Sequence, residues 1–299
     1  MYFYAVEQGN QLLGYNDVFD RTQTLLCNSK VKFLRDIGVY SNLSFTDLCD
    51  KRAKEIVKYA IENNKEIFVL WSGGIDSTVV LMSLLNYFDS KYIKILLTKK
   101  SIHEYPYLYD KLVKHMAVKF IDDDFILGIK DSLLNGLVVT GEIADQLFGT
   151  ENYFRYENRL LDRWETLVDK KFIPLLEPYV LKSFQNIITV KDFLWWNNYA
   201  LKYHHVSFRI PIHIDGAILD KNIVHFFDTK EWNDWSISTP TEEKFFGVNF
   251  KNYKKISKDY IYKHFKDPEY RDNKIKTPSL DIYKIPIKYN KIDTDWNWL

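Results

Sequence analysis

The residues best placed to do chemistry stand in one short run, Ser72-Gly73-Gly74-Ile75-Asp76-Ser77, between an apolar stretch and a helical pattern. Two glycines let a backbone turn tightly enough for successive N–H groups to face one oxyanion. The start of a helix behind them adds partial positive charge and open donors, and Ser72 and Ser77 add hydroxyls. Asp76 would repel a bare phosphate, so its place in the run implies a Mg²⁺ ion between the two. The run is neither the Gly-x4-Gly-Lys-Ser/Thr cradle of the common nucleoside triphosphatases nor the Gly-x-Gly-x-x-Gly dinucleotide turn. Taken alone, it also fits an ordinary strand-to-helix turn with an acid in the first helical turn.

A second segment follows the same grammar. Leu137 to Gly149 reads as an apolar strand, a polar turn with Gly141 and Glu142, and Asp145 at a helix start. In a parallel sheet both turns lie at the carboxyl ends of their strands, where ligands bind. Asp76 and Asp145 would then share a metal ion on a polyphosphate.

The elements that must position these groups are legible as an alternation. A helix is predicted over Thr46–Ile61, strands over Ile67–Trp71, Ile93–Leu97, Val118–Ile121 and Leu137–Thr140, and helices over Ser77–Phe88 and Glu104–Met116. Such spacing predicts an α/β fold, a Rossmann-like parallel sheet with helices on both faces, followed by a mainly helical part after Asp145. A hairpin within 1–20 and the helix up to residue 62 form a small N-terminal extension, and 63–299 the main domain. Forty-one basic against forty acidic residues leave +1, which excludes polyanion binding by bulk charge. Two cysteines, Cys27 and Cys49, support neither a disulfide framework nor a cysteine-rich metal site. The start has no basic region before an apolar run, and Ile67–Phe88 is interrupted by Asp76, so a cytoplasmic protein without membrane contact is expected.

Ser72 to Ser77 resembles the signature of the PP-loop ATP pyrophosphatases, which cleave ATP between its α and β phosphates. Thr140-Gly141-Glu142-Ile143-Ala144-Asp145-Gln146-Leu147-Phe148-Gly149 is similar to the second motif of one branch, the synthetase domain of asparagine synthetase and β-lactam synthetase. Tyr153–Tyr156 fits that branch's continuation. Ser207–Asp215 resembles its Glu-Ala-Arg-Val-Pro-Phe-Leu-Asp segment with one residue inserted, and Arg271–Lys276 is a fainter echo of its late lysine stretch. The likeness implies an adenine nucleotide alpha hydrolase-like fold and a two-step ligation, in which a carboxylate is adenylated with release of pyrophosphate and an amine then displaces AMP. It implies that Ser72, Gly73, Gly74 and Ser77 hold the pyrophosphate. Asp76 and Asp145 would ligate Mg²⁺, while Trp71, Leu97, Thr98, Thr140 and Gly141 line the adenosine. Glu142 would stand beside the acyl centre and Lys274 would steady charge on the α phosphate, with Lys276 as its rival.

The chain departs from that pattern at Ile143, which replaces a glycine, at Gln146, which replaces a glutamate, and at Ser207, which stands for a glutamate. No glutaminase portion precedes the PP-loop in this sequence, so the nitrogen is expected from ammonia or another amine. Two further classes stay open: adenylation of a nucleobase in tRNA or DNA, and a nucleotide-binding interaction module. His204, His205 and His213 lack metal-ligand spacing and read as packing residues. Asp122-Asp123-Asp124 reads as a helix cap, and Trp195-Trp196 as core.

Overall fold

The computed structural model describes residues 20–22, 24–25, 38–122, 124–149, 152–211, 214, 222–245 and 252–274. The hairpin expected within 1–20 (apart from Asp20) lies outside them, as do Cys27, Asp123, His213, Asp215 and Lys276.

Helix α1 spans Phe45–Glu62. Ser44 opens it with a capping box: its hydroxyl accepts from the Asp47 N–H, and the Asp47 carboxylate accepts from the Ser44 N–H. The box satisfies two donors that the first turn leaves open. Strand β1 (Glu66–Leu70) then runs through Ser72-Gly73-Gly74 into α2 (Ile75–Leu85). Strand β2 is Ile93–Leu97, as its apolar run predicts.

One helix is predicted over 104–116, and the chain makes two shorter ones, α3 (Lys99–Glu104) and α4 (Pro106–Lys111). The reason is local. Thr98 and Ser101 form a capping box that starts α3 early. Pro106 has no N–H to donate and drives Tyr105 out of the helical region, to φ −146 and ψ 71. Strand β3 (Ala117–Phe120), α5 (Phe125–Leu133), β4 (Gly136–Thr140) and α6 (Ala144–Phe148) complete the alternation. Asp124 caps α5 by accepting from the Leu127 N–H at 2.8 Å.

Helices dominate the remainder: α7 (Asn152–Arg155), α8 (Ile173–Val180), α9 (Val190–Leu201) and α10 (Tyr203–Phe208). After them come β5 (Ile223–His225), α11 (Lys230–Ser238), α12 (Thr241–Phe245), α13 (Lys255–His264) and α14 (Pro268–Asn273). Trp195 and Trp196 on α9 are wholly buried, as expected of core residues. None of the helices among the described residues is long and apolar enough to cross a membrane.

The five strands form one parallel sheet in the order β3-β2-β1-β4-β5. Alternate side chains face opposite ways along a strand, and two cores result. Ile67, Val69, Ile95, Leu97, Leu137 and Val139 join α1 and α2 in the larger one. Phe68, Leu96, Val138 and Ile223 join Ile129 and Leu133 of α5 in the smaller. Helix α1, placed by the sequence in an N-terminal extension, thus packs into the larger core of the sheet through Leu48, Ala53 and Ile56. Cys49 lies there too, wholly buried.

Connections leave β1 and β4, which are neighbours, toward opposite sides of the strand order, so the loops after Leu70 and Thr140 flank the switch point of the sheet. The approach of the two loops is close. A Cβ on Gly141 would stand 2.8 Å from the Ser77 nitrogen and 2.9 Å from the Asp76 carbonyl carbon. Gly141→Ala therefore pushes one loop off the other and should destabilise the fold by about 1–3 kcal/mol. Urea unfolding followed by circular dichroism checks this; a variant as stable as the parent would contradict the close approach.

Candidate functional site

The loop after β1 is built around Gly73. Its φ of 77° is left-handed, and a Cβ there would stand 2.3 Å from the Ser101 carbonyl oxygen, so both conformation and space require glycine. The Ser72 N–H donates to the Ser77 Oγ at 3.1 Å, the two serine hydroxyls lie 3.0 Å apart, and the Gly74 N–H donates to the Ser72 Oγ at 3.3 Å. The two hydroxyls, expected from the sequence to face an anion, here hold the loop closed on itself. Thr78 donates to the Gly74 carbonyl at 2.8 Å and accepts the Trp71 indole N–H at 3.1 Å.

Trp71 and Leu97 are each only 1% exposed. Their side chains lie in the core beneath the strand ends, not on a surface that an adenine ring could stack against. Thr98 is also buried, with its hydroxyl accepting from the Ser101 N–H as the cap of α3. Of the residues expected around adenosine, Gly141 follows the end of β4 and is partly exposed, whereas Thr140, the last residue of β4, is as buried as Trp71 and Leu97. His225, the last residue of β5, fixes Thr140 in orientation. Burial pushes the imidazole pKa down, so the ring is neutral. Its Nε2 lies 3.0 Å from the Ser207 carbonyl, which can only accept, so Nε2 carries the proton. Nδ1 then accepts the Thr140 hydroxyl proton at 2.7 Å.

Glu142 and Arg209, far apart in sequence, form a half-buried ion pair. Two of the segments that carry the resemblance, 140–149 and the one that holds Arg209, therefore meet at this carboxylate. Next to it, Ile143 adopts φ 74° with its side chain 1% exposed. A branched residue is strained there, and buried packing holds it in place.

Asp76 and Asp145, expected to share Mg²⁺, are brought to one point. That point holds a lysine. The Lys254 Nζ donates to both oxygens of Asp76 at 2.6 Å and to Asp145 Oδ1 at 2.7 Å. Its side chain is 2% exposed, against 25% and 24% for the two carboxylates. Two carboxylates suit a hard cation by their chemistry, yet a metal held by both needs the point that the ammonium fills. The pair as arranged does not fit Mg²⁺. Among the described residues no group of three or more His, Cys, Asp or Glu side chains could hold a metal ion.

Lys274 sits at the end of α14 and pairs with Glu104, the last residue of α3. Both stand close to the anion loop: Glu104 Cβ would touch a side chain on Gly73, and Tyr270 of α14 donates its hydroxyl to the Gly73 carbonyl at 3.3 Å. Tyr105 stacks on Tyr270 at 3.7 Å and holds α14 over the loop. Lys258 donates to the Lys274 carbonyl at 3.2 Å, and burial draws its own pKa down to about 8.

No family profile and no curated protein matches the chain.

Lys254 and its neighbour Tyr253, whose hydroxyl donates to Asp145 Oδ1 at 3.0 Å, have no signal in the sequence. They lie in a lysine-rich stretch, and nothing local separates one lysine of that stretch from another. His225 and Glu104 are likewise found only once the sheet is assembled. Among the histidines read as packing residues, His204 is buried and its pKa is pushed well down, and burial, with Arg209 and Lys202 nearby, takes His205 from 6.5 to about 4.

At φ 74° glycine outranks alanine, so Ile143→Gly should be more stable than Ile143→Ala by about 1 kcal/mol, the reverse of the usual order. Denaturation midpoints of the pair read this directly, and the ordinary ranking would remove the strain. The depressed histidines make stability acid-sensitive. The unfolded chain takes up a proton at His205 near pH 6.5, which the folded chain refuses until about 4, so acid favours unfolding across that window. His205→Asn should flatten the fall in urea midpoint between pH 6.5 and 4; an unchanged slope would show that His205 does not contribute.

Proposed function

We propose that the chain is an ATP-dependent, AMP-forming amide synthetase. One observation carries the reading: segments 72–77, 140–149, 207–209 and 270–274, separated in sequence, converge at the carboxyl ends of β1 and β4. Gly141 rests on the Asp76–Ser77 backbone, Arg209 on Glu142, and Tyr270 on Gly73.

In this reading a substrate carboxylate oxygen attacks the α phosphorus of ATP and the α–β bridging bond breaks. Pyrophosphate leaves into the loop, where the Ser72 and Ser77 hydroxyls and the Gly73–Gly74 backbone replace their mutual bonds with bonds to phosphate oxygens. Lys274, moving from Glu104, meets charge that grows on the α phosphate, an electrostatic role that has to be prepared before the reaction. An amine then attacks the acyl carbon, AMP leaves with the C–O electrons, and the amine sheds a proton. Glu142, oriented by Arg209, is the acid beside that carbon. The nitrogen source is ammonia or a substrate amine, and the carboxylate is a small acid or one attached to a macromolecule.

Products identify the reaction. Protein incubated with ATP, magnesium ion, ammonia and a panel of carboxylates including aspartate should release AMP and pyrophosphate with one acid and not the others. Lys274→Ala should lower kcat by about 10²–10³ and leave the KM for ATP nearly unchanged, as expected of a group that acts on the transition state. ADP and phosphate as products would replace the proposal with another ATP chemistry. AMP formation that depends on tRNA or DNA instead of an acid would move it to nucleobase adenylation.

A further inference from the structure

Two carboxylates share one ammonium at the heart of the site. Asp76 stands in the first turn of α2 and Asp145 in the first turn of α6, one at the end of each central strand. Carboxylates that converge in this way repel one another unless a cation stands between them. The chain supplies one. The Lys254 ammonium reaches three carboxylate oxygens within 2.7 Å, and the rings of Phe148 and Tyr253 lie 5.7 and 5.5 Å from it. Its backbone stands at φ 49° and ψ 42°, left-handed for a residue that is not glycine. The start of α13 fixes this conformation, with the Lys258 N–H donating to the Lys254 carbonyl at 3.0 Å. A strained backbone that delivers a buried ammonium to two acids is a built feature, since local strain persists only where the surroundings over-determine it.

We propose that Lys254 is a resident cation that competes with divalent metal for the Asp76–Asp145 pair. A small divalent ion bonds carboxylate oxygens at about 2.0–2.1 Å, so an ion shared by both residues stands where the ammonium stands. The two are mutually exclusive by space and by charge. In the free protein the ammonium joins the two strand ends. A divalent ion takes both carboxylates only as Lys254 withdraws toward solvent or an anionic ligand. This exchange rests on the charge pattern alone, and nucleotide-free protein tests it, so it stands or falls apart from the amide synthetase reading.

Mn²⁺ titrated into nucleotide-free protein and followed by electron paramagnetic resonance is the test. Lys254→Met should bind Mn²⁺ at least about tenfold more tightly than the parent, because the pair loses its competitor and keeps both carboxylates. Lys254→Arg, which keeps the charge, should bind as weakly as the parent, and Lys254→Met combined with Asp145→Asn should lose the gain. Folded Lys254→Met with the parent's affinity overturns the proposal. Where Lys254→Met is unfolded by circular dichroism, Lys254→Gln, which keeps an amide donor at the pair, takes its place in the same titration. A second reading uses the parent protein: acetylation of Lys254 by acetic anhydride, measured by mass spectrometry, should rise severalfold in excess Mn²⁺. Unchanged labelling overturns the proposal as well.

Discussion

Two ionised acids brought together at the ends of neighbouring parallel strands repel one another, and here a cation between them offsets that repulsion. Much of the described molecule follows from that constraint. Asp76 and Asp145 belong to turns that are separate in sequence, and the ammonium of Lys254 ties both to the start of α13. Three parts of the chain are thereby held at one point. Breaking a fully buried ion pair costs about 3–5 kcal/mol, and less where a quarter of each carboxylate meets solvent, as here. The same α13 packs against α2, so the tie at the site continues into the core.

Close backbone approach makes the convergence possible. Gly141 lets the turn after β4 lie on the first turn of α2, and Gly73 lets the loop after β1 lie against Ser101 and Glu104. Side chains at these places would separate segments that must touch. Under the loops, Trp71 and Leu97 fill the core, so the floor of the site is packed and the groups that face outward are polar. The site is a rigid base with charged groups paired across it: Glu142 with Arg209, Lys274 with Glu104, the two aspartates with Lys254. A ligand that displaces any of these pairs meets a group already oriented.

The alternating part of the fold was legible because buried parallel strands are short apolar runs bounded by turn residues. β2 was bounded correctly from that pattern, and β1 and β4 to within a residue. The single helix expected over 104–116 does not form because Pro106 and the Thr98–Ser101 cap outweigh the apolar spacing that suggests it. β5 escaped notice because three residues carry no periodicity. At the site, the two acidic turns were readable since glycine, serine and acid at a strand end have a chemical meaning together. Lys254 was not. Its role comes from a left-handed backbone and a tertiary approach over more than a hundred residues, neither of which leaves a local trace. Trp71 and Leu97 show the converse: position at a strand end was legible, but the face on which the side chain lies depends on the assembled sheet.

Cys49 lies on α1, wholly buried, with its thiol facing Ser83 of α2 and Tyr260 of α13, and burial raises its pKa well above the ordinary thiol value. Only the thiolate reacts with common sulfhydryl reagents. The side chain is therefore silent while the three helices are docked and becomes reactive when they part. Because Lys254 is the residue just before α13, parting of that helix from α1 would both expose Cys49 and loosen the site's central cation.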